Sequence, residues 1–191
     1  MASVHNLIVK RGEAEILKNF SAEFPEHEVT AVSGRSGCGK TTLLSVLLNL
    51  LPADSGEIHG FQKPSAVFQE DRLLPYLTAA KNISVAAGCT ETAAEKALLQ
   101  VGFDPEDLKK NAVQLSGGMA RRVSIVRAML TEGDAVLLDE PFKGLDDQTR
   151  EKVVQFVKET LKNRTTILVT HDPRDAEDLA AVKIIEMGTE K

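Results

Sequence analysis

A glycine-rich run, Gly34-Arg35-Ser36-Gly37-Cys38-Gly39-Lys40-Thr41 followed by Thr42, constrains this chain more than any other stretch. The apolar residues 29–32 before it read as a β-strand, and the Leu-rich residues 43–51 after it read as a helix. A strand that passes through a glycine loop into a helix leaves unpaired backbone N–H groups at the helix N-terminus. The positive end of the helix dipole lies behind them, so an anion is favoured there. The spacing is that of a phosphate cradle. Its glycines let the backbone wrap a phosphate closely, Lys40 reaches the β- and γ-phosphates as a point charge on a flexible stem, and the Thr41 hydroxyl is suited to holding a magnesium ion. Cys38 occupies a variable position of the loop and reads as small filler rather than a nucleophile.

Around this loop the pattern alternates. Residues 4–9, 16–24 and 29–32 are rich in β-formers, with turns at Arg11-Gly12 and Pro25-Glu26. A helix is predicted over 39–51, stopped by Pro52, followed by short strands over 57–59 and 65–68. From 78 to 130 the apolar residues recur at helical spacing, as with Ala80 and Ile83, Ala94 and Leu98, and Val123 and Val126. Residues 135–138 form a continuous apolar strand of the kind covered on both faces. A helix over 147–162, a strand over 165–169, a helix over 173–179 and a strand over 182–187 complete the chain. Strands alternating with helices predict an α/β fold with a mainly parallel sheet, into which a helical lobe is inserted. A chain of 191 residues is most simply one domain, with a core over about 1–72 and 132–191 and a helical subdomain over about 73–131.

Composition narrows the partners. With 23 basic and 28 acidic residues the net charge is −5, unlike the basic footprint of a nucleic-acid binder, so nucleic acid is not expected as a partner. Cys38 and Cys89 provide no disulfide framework and suit a reducing compartment. The N-terminus lacks the basic start and apolar stretch of a signal peptide, and no apolar run approaches the roughly 18 residues of a membrane helix. Any service to a membrane is therefore expected from the cytoplasmic side.

Hydrolysis of a γ-phosphate requires carboxylates beside the cradle. Asp139 closes the apolar strand and is suited to magnesium, while Glu140 after it is suited to accept a proton from an attacking water. His171 follows the strand over 165–169 and so falls at the same sheet edge, where it could sense the γ-phosphate and orient the water. Leu115-Ser116-Gly117-Gly118-Met119 opens another helix, with Ser116 as N-cap, and gives a second anion-binding helix N-terminus.

The ordered set of phosphate loop, Gln69, Ser-Gly-Gly segment, strand ending in Asp139-Glu140, Gly144-Leu145-Asp146 and His171 resembles the ATP-binding cassette (ABC) ATPases over nearly the whole chain. The resemblance implies ATP and Mg2+ as cofactors, with ATP hydrolysed to ADP and phosphate. It also implies a P-loop NTPase core bearing an N-terminal antiparallel β subdomain and an inserted helical subdomain. On this basis Gly34 to Thr42 bind the nucleotide, Thr41, Gln69 and Asp139 hold the metal, and Gln69 couples the nucleotide to the helical lobe. Glu140 and His171 are then the catalytic base and the γ-phosphate switch. Ser116, Gly117 and Gly118 would contact ATP bound to the opposite subunit of a head-to-tail homodimer that sandwiches two ATP molecules, with Asp146 across the seam.

Val67-Phe68-Gln69-Glu70-Asp71-Arg72-Leu73-Leu74-Pro75 is similar to the matching stretch of the nitrate, sulfonate and taurine type importers, in which residues 69–77 would help form the groove for a coupling helix. The expected function is the ATP-hydrolysing subunit of a bacterial importer, peripheral on the inner face of the cell membrane. Its expected partners are transmembrane permease subunits and, through them, a substrate-binding protein. A cytosolic ABC-type switch without a membrane subunit and an export ATPase are the alternatives. Two positions depart from the family. No aromatic precedes Gly12 to stack on adenine, so either Arg11 stacks its guanidinium there for about 0.5–1 kcal/mol, or nucleotide binding is weaker. Met119 stands where Gln is usual, which forgoes a hydrogen bond of about 0.5–1.5 kcal/mol, so activity is expected to be lowered rather than abolished. The chain is short for the family and stops soon after its last strand, so no regulatory domain is expected behind it.

Overall fold

The computed structural model describes residues 1–161 and 163–188. Its strands are β1 (Ala2–Arg11), β2 (Ala14–Phe24), β3 (Val29–Gly34), β4 (Ser55–His59), β5 (Pro64–Val67), β6 (Ala135–Asp139), β7 (Thr165–Val169) and β8 (Lys183–Met187). Its α-helices are α1 (Lys40–Leu47), α2 (Ala79–Ala87), α3 (Glu91–Gln100), α4 (Gly117–Leu130), α5 (Asp147–Thr160) and α6 (Pro173–Asp178). No helix of the described residues is long and apolar enough to cross a membrane.

The described chain forms two compact units. The first comprises residues 1–66 and 133–139 and the chain from Asn163 onward, and the second comprises residues 67–132 and the stretch from Glu140 through α5. In the first unit β2, β1 and β4 make an antiparallel sheet in that order, and a second sheet runs β5-β6-β7-β3-β8. The pairs β6/β7, β7/β3 and β3/β8 are parallel. Both β6 and β7 are buried at every position, which is why the apolar run over 135–138 has no alternation. Register aligns Val32 with Val169 and Val169 with Asp139. The C-terminal ends of β3, β7 and β6 therefore lie level along one sheet edge. The core of this unit includes Leu7, Leu17, Phe24, Val32, Leu43, Leu47, Leu137, Ile167 and Val169. Each large side chain buried there contributes about 1.5–3 kcal/mol.

The second unit is mostly helical. Its helices α2, α3 and α4 pack on one another, and α5 packs on α3 and α4. Ile83, Leu98, Val123, Ile125, Val153 and Val157 are fully buried. Thr78, Thr90 and Ser116 cap α2, α3 and α4 through their hydroxyls, and Gly88 ends α2 in the left-handed region.

Several boundaries differ from expectation. Helix α1 stops at Leu47, not at 51, because Asn49 adopts φ +55 and the amides of Asn49 and Leu50 return to the carbonyls of Val46 and Ser45. This is a Schellman stop, which Asn supports and which ends the helix before Pro52 acts. Strands β1, β2 and β4 start earlier than predicted: antiparallel pairing accepts the exposed Ala14, Glu15, Ser55 and Gly56 on a solvated face, whereas Ala2 and Ser3 of β1 are buried and pair with Phe24 and Glu23 of β2. Strand β5 is shifted one residue earlier, β8 begins at Lys183, and α6 ends at Asp178. Helix α5 is seen to Thr160, and its expected end at Lys162 lies outside the described residues.

Candidate functional site

In the first unit the glycine loop joins β3 to α1 and is pinned from both sides. Gly39 has φ +103, and a Cβ there would lie 2.7 Å from Leu17 Cδ2 on β2. A Cβ on Gly34 would collide with the Met187 carbonyl on β8 and lie 2.8 Å from Cys38 Sγ. Cys38 thus packs in space that a glycine leaves, as expected of filler. Lys40 is buried, and its Nζ donates to the carbonyls of Gly34 at 2.7 Å and Arg35 at 3.0 Å. These bonds hold the ammonium inside the loop. Gly39 provides no side-chain cap for α1, so the first helical amides are not bonded by a capping side chain. Arg35, Ser36, Gly37 and Thr41 are exposed, and Thr42 is half-buried.

Thr41 Oγ1 donates to Asp139 Oδ2 at 3.2 Å. Asp139 is buried at the end of β6, so the strand order carries its carboxylate to the first turn of α1. His171 is exposed just beyond β7, on the strand between β6 and β3. Its turn is fixed by Thr170, whose hydroxyl donates to the buried Asp175 at 2.5 Å and accepts from the Asp172 amide at 3.0 Å. Arg11 is the exposed last residue of β1.

In the second unit Ser116 accepts from the Met119 amide at 3.3 Å, and a Cβ on Gly117 would meet no atom within 4 Å. The N-terminus of α4 is thus capped once and otherwise open. Gly118 lies close to the segment containing Leu145, since a Cβ on it would sit 3.9 Å from Leu145 Cδ2. Asp146 caps α5 by accepting from the Thr149 amide, and this bonding holds its carboxyl below the usual range. Glu140 is half-buried with φ +46, a conformation uncommon for a residue with a Cβ, and its Oε2 pairs with Lys143 Nζ at 2.6 Å. Gln69 is exposed.

Sequence reasoning passed over the arginines of α4. Arg121, only 8% exposed, donates from its two terminal nitrogens to the carbonyls of Phe68 at 2.6 Å and Gln69 at 2.5 Å. Its Nε lies 3.3 Å from the Asp71 carboxylate. Arg127 donates to the carbonyls of Arg72 and Asp71, both at 3.0 Å. Arg122 reaches the carbonyls of Val101 at 3.1 Å and Gly102 at 2.6 Å and stacks over Phe103. Burial pushes the Asp71 carboxyl above the usual range despite the neighbouring Arg121 and Arg127. The sequence signal was the presence of three arginines within seven residues of a helix otherwise rich in buried positions.

The family model described as ABC transporter matches residues 17–143. The chain is 39% identical over 184 residues to the aliphatic sulfonates import ATP-binding protein SsuB 3 of Paraburkholderia xenovorans strain LB400, covering 93% of this chain and 73% of that one. It is 38% identical over 187 residues to the aliphatic sulfonates import ATP-binding protein SsuB of Corynebacterium glutamicum, covering 94% and 77%. Among solved structures it is similar to the dimeric post-hydrolysis state of the ATP-binding cassette MJ0796 bound to ADP and Pi. The TM-score is 0.86 at 28% identity, over 98% of this chain and 94% of that chain.

Proposed function

The chain belongs to the ABC transporter family, and from that premise we propose that it is the ATP-binding and ATP-hydrolysing subunit of a bacterial importer of the sulfonate type. The single observation that carries the reading is the 3.2 Å contact of Thr41 with Asp139 beside the buried Lys40. A glycine loop alone would suit many phosphate binders. A loop whose first helical hydroxyl meets a strand-end carboxylate suits a nucleotide held with a divalent cation.

Thr41 Oγ1 and Asp139 Oδ2 are hard oxygen donors, and Mg2+ is commonly bound by one or two such groups plus phosphates and water. Gln69 is the third proposed ligand. Bound there, Mg2+ would neutralise charge on the β- and γ-phosphates. Lys40 supports the same phosphates, Gly34 to Thr42 supply backbone amides, and Arg11 is offered to the adenine. Glu140 accepts the proton of the attacking water, and His171 orients that water against the γ-phosphate.

Ser116, Gly117 and Gly118 complete the site of a second copy in a head-to-tail dimer enclosing two ATP, in keeping with the dimeric cassette structures similar to this chain. Closure on ATP and reopening after hydrolysis drive permease subunits in the membrane, to whose inner face the dimer is docked, and a substrate-binding protein delivers cargo to them. Replacing Glu140 by Gln tests the reading. Steady-state hydrolysis falls at least a hundredfold while ATP-dependent dimers accumulate on size-exclusion chromatography. Turnover at the parent rate would remove Glu140 from the role of base.

A further inference from the structure

The backbone over 68–72 is irregular, and two guanidinium groups from α4 bond four of its carbonyls, those of Phe68, Gln69, Asp71 and Arg72. Arg121 makes the closer contacts. It is 8% exposed, its fork spans consecutive carbonyls at 2.6 and 2.5 Å, and the Asp71 carboxylate lies at its Nε. Charge-assisted bonds of this kind are short and roughly twice as strong as neutral ones, and a buried setting strengthens them further. The planar fork fixes direction as well as distance. Packing alone would have been served by an apolar side chain at this position of α4.

Arg121 lies five residues beyond Ser116, so at the helical rise it is only about 7.5 Å along the axis from the open N-terminus of α4. A helix of this length does not bend over one and a half turns without a cause such as Pro or an inserted side chain. The carbonyl of Gln69 is therefore tied to a rigid rod whose tip is Ser116-Gly117-Gly118.

We propose that Arg121 is a positioning residue of the ATPase cycle, making the segment that carries Gln69 and the Ser116–Gly118 tip of α4 move as one body. The inference rests on the proposed function, in which Gln69 meets the metal of its own chain's nucleotide and Ser116 to Gly118 meet the partner's. Arg121 touches neither nucleotide. It transmits the position of the first segment to the second, so that a chain loaded with MgATP presents its α4 tip correctly.

The test uses the full chain with Arg121→Gln, which is neutral and can bond one carbonyl, and Arg121→Lys, which keeps the charge without the fork. Binding of MgATP to the monomer, measured by calorimetry, stays within about twofold of the parent, because Lys40, Thr41, Asp139 and the loop amides, none of which Arg121 touches, hold most of the nucleotide and its metal in the proposed site, with Gln69 adding a single ligand. The kcat of Arg121→Gln falls at least tenfold, the ATP-dependent dimer of a Glu140→Gln background is lost, and Arg121→Lys recovers part of both. In hydrogen exchange, MgATP protects residues 34–42 in parent and variant alike. It protects 115–120 in the parent and not in Arg121→Gln. Parent-level kcat and dimerisation in Arg121→Gln would overturn the proposal. So would an activity loss that merely follows lost ATP affinity or a lowered melting temperature, since that is a structural role. A parent chain that binds MgATP without hydrolysing it or dimerising would overturn the functional reading itself, and this inference with it.

Discussion

Lys40 shows how a single side chain is prepared for a ligand. Its ammonium bonds the Gly34 and Arg35 carbonyls, which places the charge inside the loop where the proposed phosphate site lies. Lys40→Ala should abolish measurable MgATP binding in calorimetry while leaving the melting temperature nearly unchanged, because the lost bonds serve the loop alone. Thr41→Ala should bring MgATP affinity down to that of ATP in chelator, since the hydroxyl beside Asp139 is one of the proposed metal donors. Gly39 is constrained by shape instead. Gly39→Ala places a Cβ against Leu17 at φ +103 and should destabilise the fold by about 1–3 kcal/mol, visible in urea unfolding. The loop itself was legible from its residues, because eight consecutive residues specify its local backbone geometry between β3 and α1. The contact of Thr41 with Asp139 was not, since the two are 98 residues apart and meet only through the strand order.

Among the elements, α4 is the one whose surface does most to organise its unit. Its caps and apolar positions were readable from Ser116 and from Val123, Ile125 and Val126, which are all fully buried. Its arginines were not readable, because a guanidinium on a helix looks solvated until the carbonyls that surround it are known. Arg121, Arg122 and Arg127 reach three irregular segments, over 68–69, 101–102 and 71–72, and supply donors to backbone that has no ladder of its own. Ser116→Ala should cost about 1 kcal/mol of stability through the lost cap, measured by thermal unfolding, with MgATP affinity of the monomer unchanged. Helix α1 carries the opposite lesson. Its Leu run suggested four more residues of helix, and Asn49 ended it, because a left-handed residue with two returning amides outweighs apolar periodicity at a terminus.

For the whole molecule the head-to-tail reading makes a prediction that no single site can mimic. A Lys40→Ala chain and a Ser116→Arg chain, each in a Glu140→Gln background, should fail to dimerise alone with ATP. Mixed, they should form heterodimers through the one intact composite site, read by light scattering, and failure of the mixture would contradict the shared site. By itself the sequence determined the glycine loop between strand and helix, the alternation of strands and helices, the Ser116 cap of α4 and the family, because each of these is written in short-range spacing and residue type. Tertiary structure alone decided that Asp139 meets Thr41, that the turn holding His171 is fixed by a buried Thr170–Asp175 bond, and that Arg121 grips the backbone beside Gln69. The physical reason is common to all three. A local pattern sets which face of an element is apolar, whereas the partner of a polar group depends on strand order and helix packing, which bring together residues that no spacing rule connects.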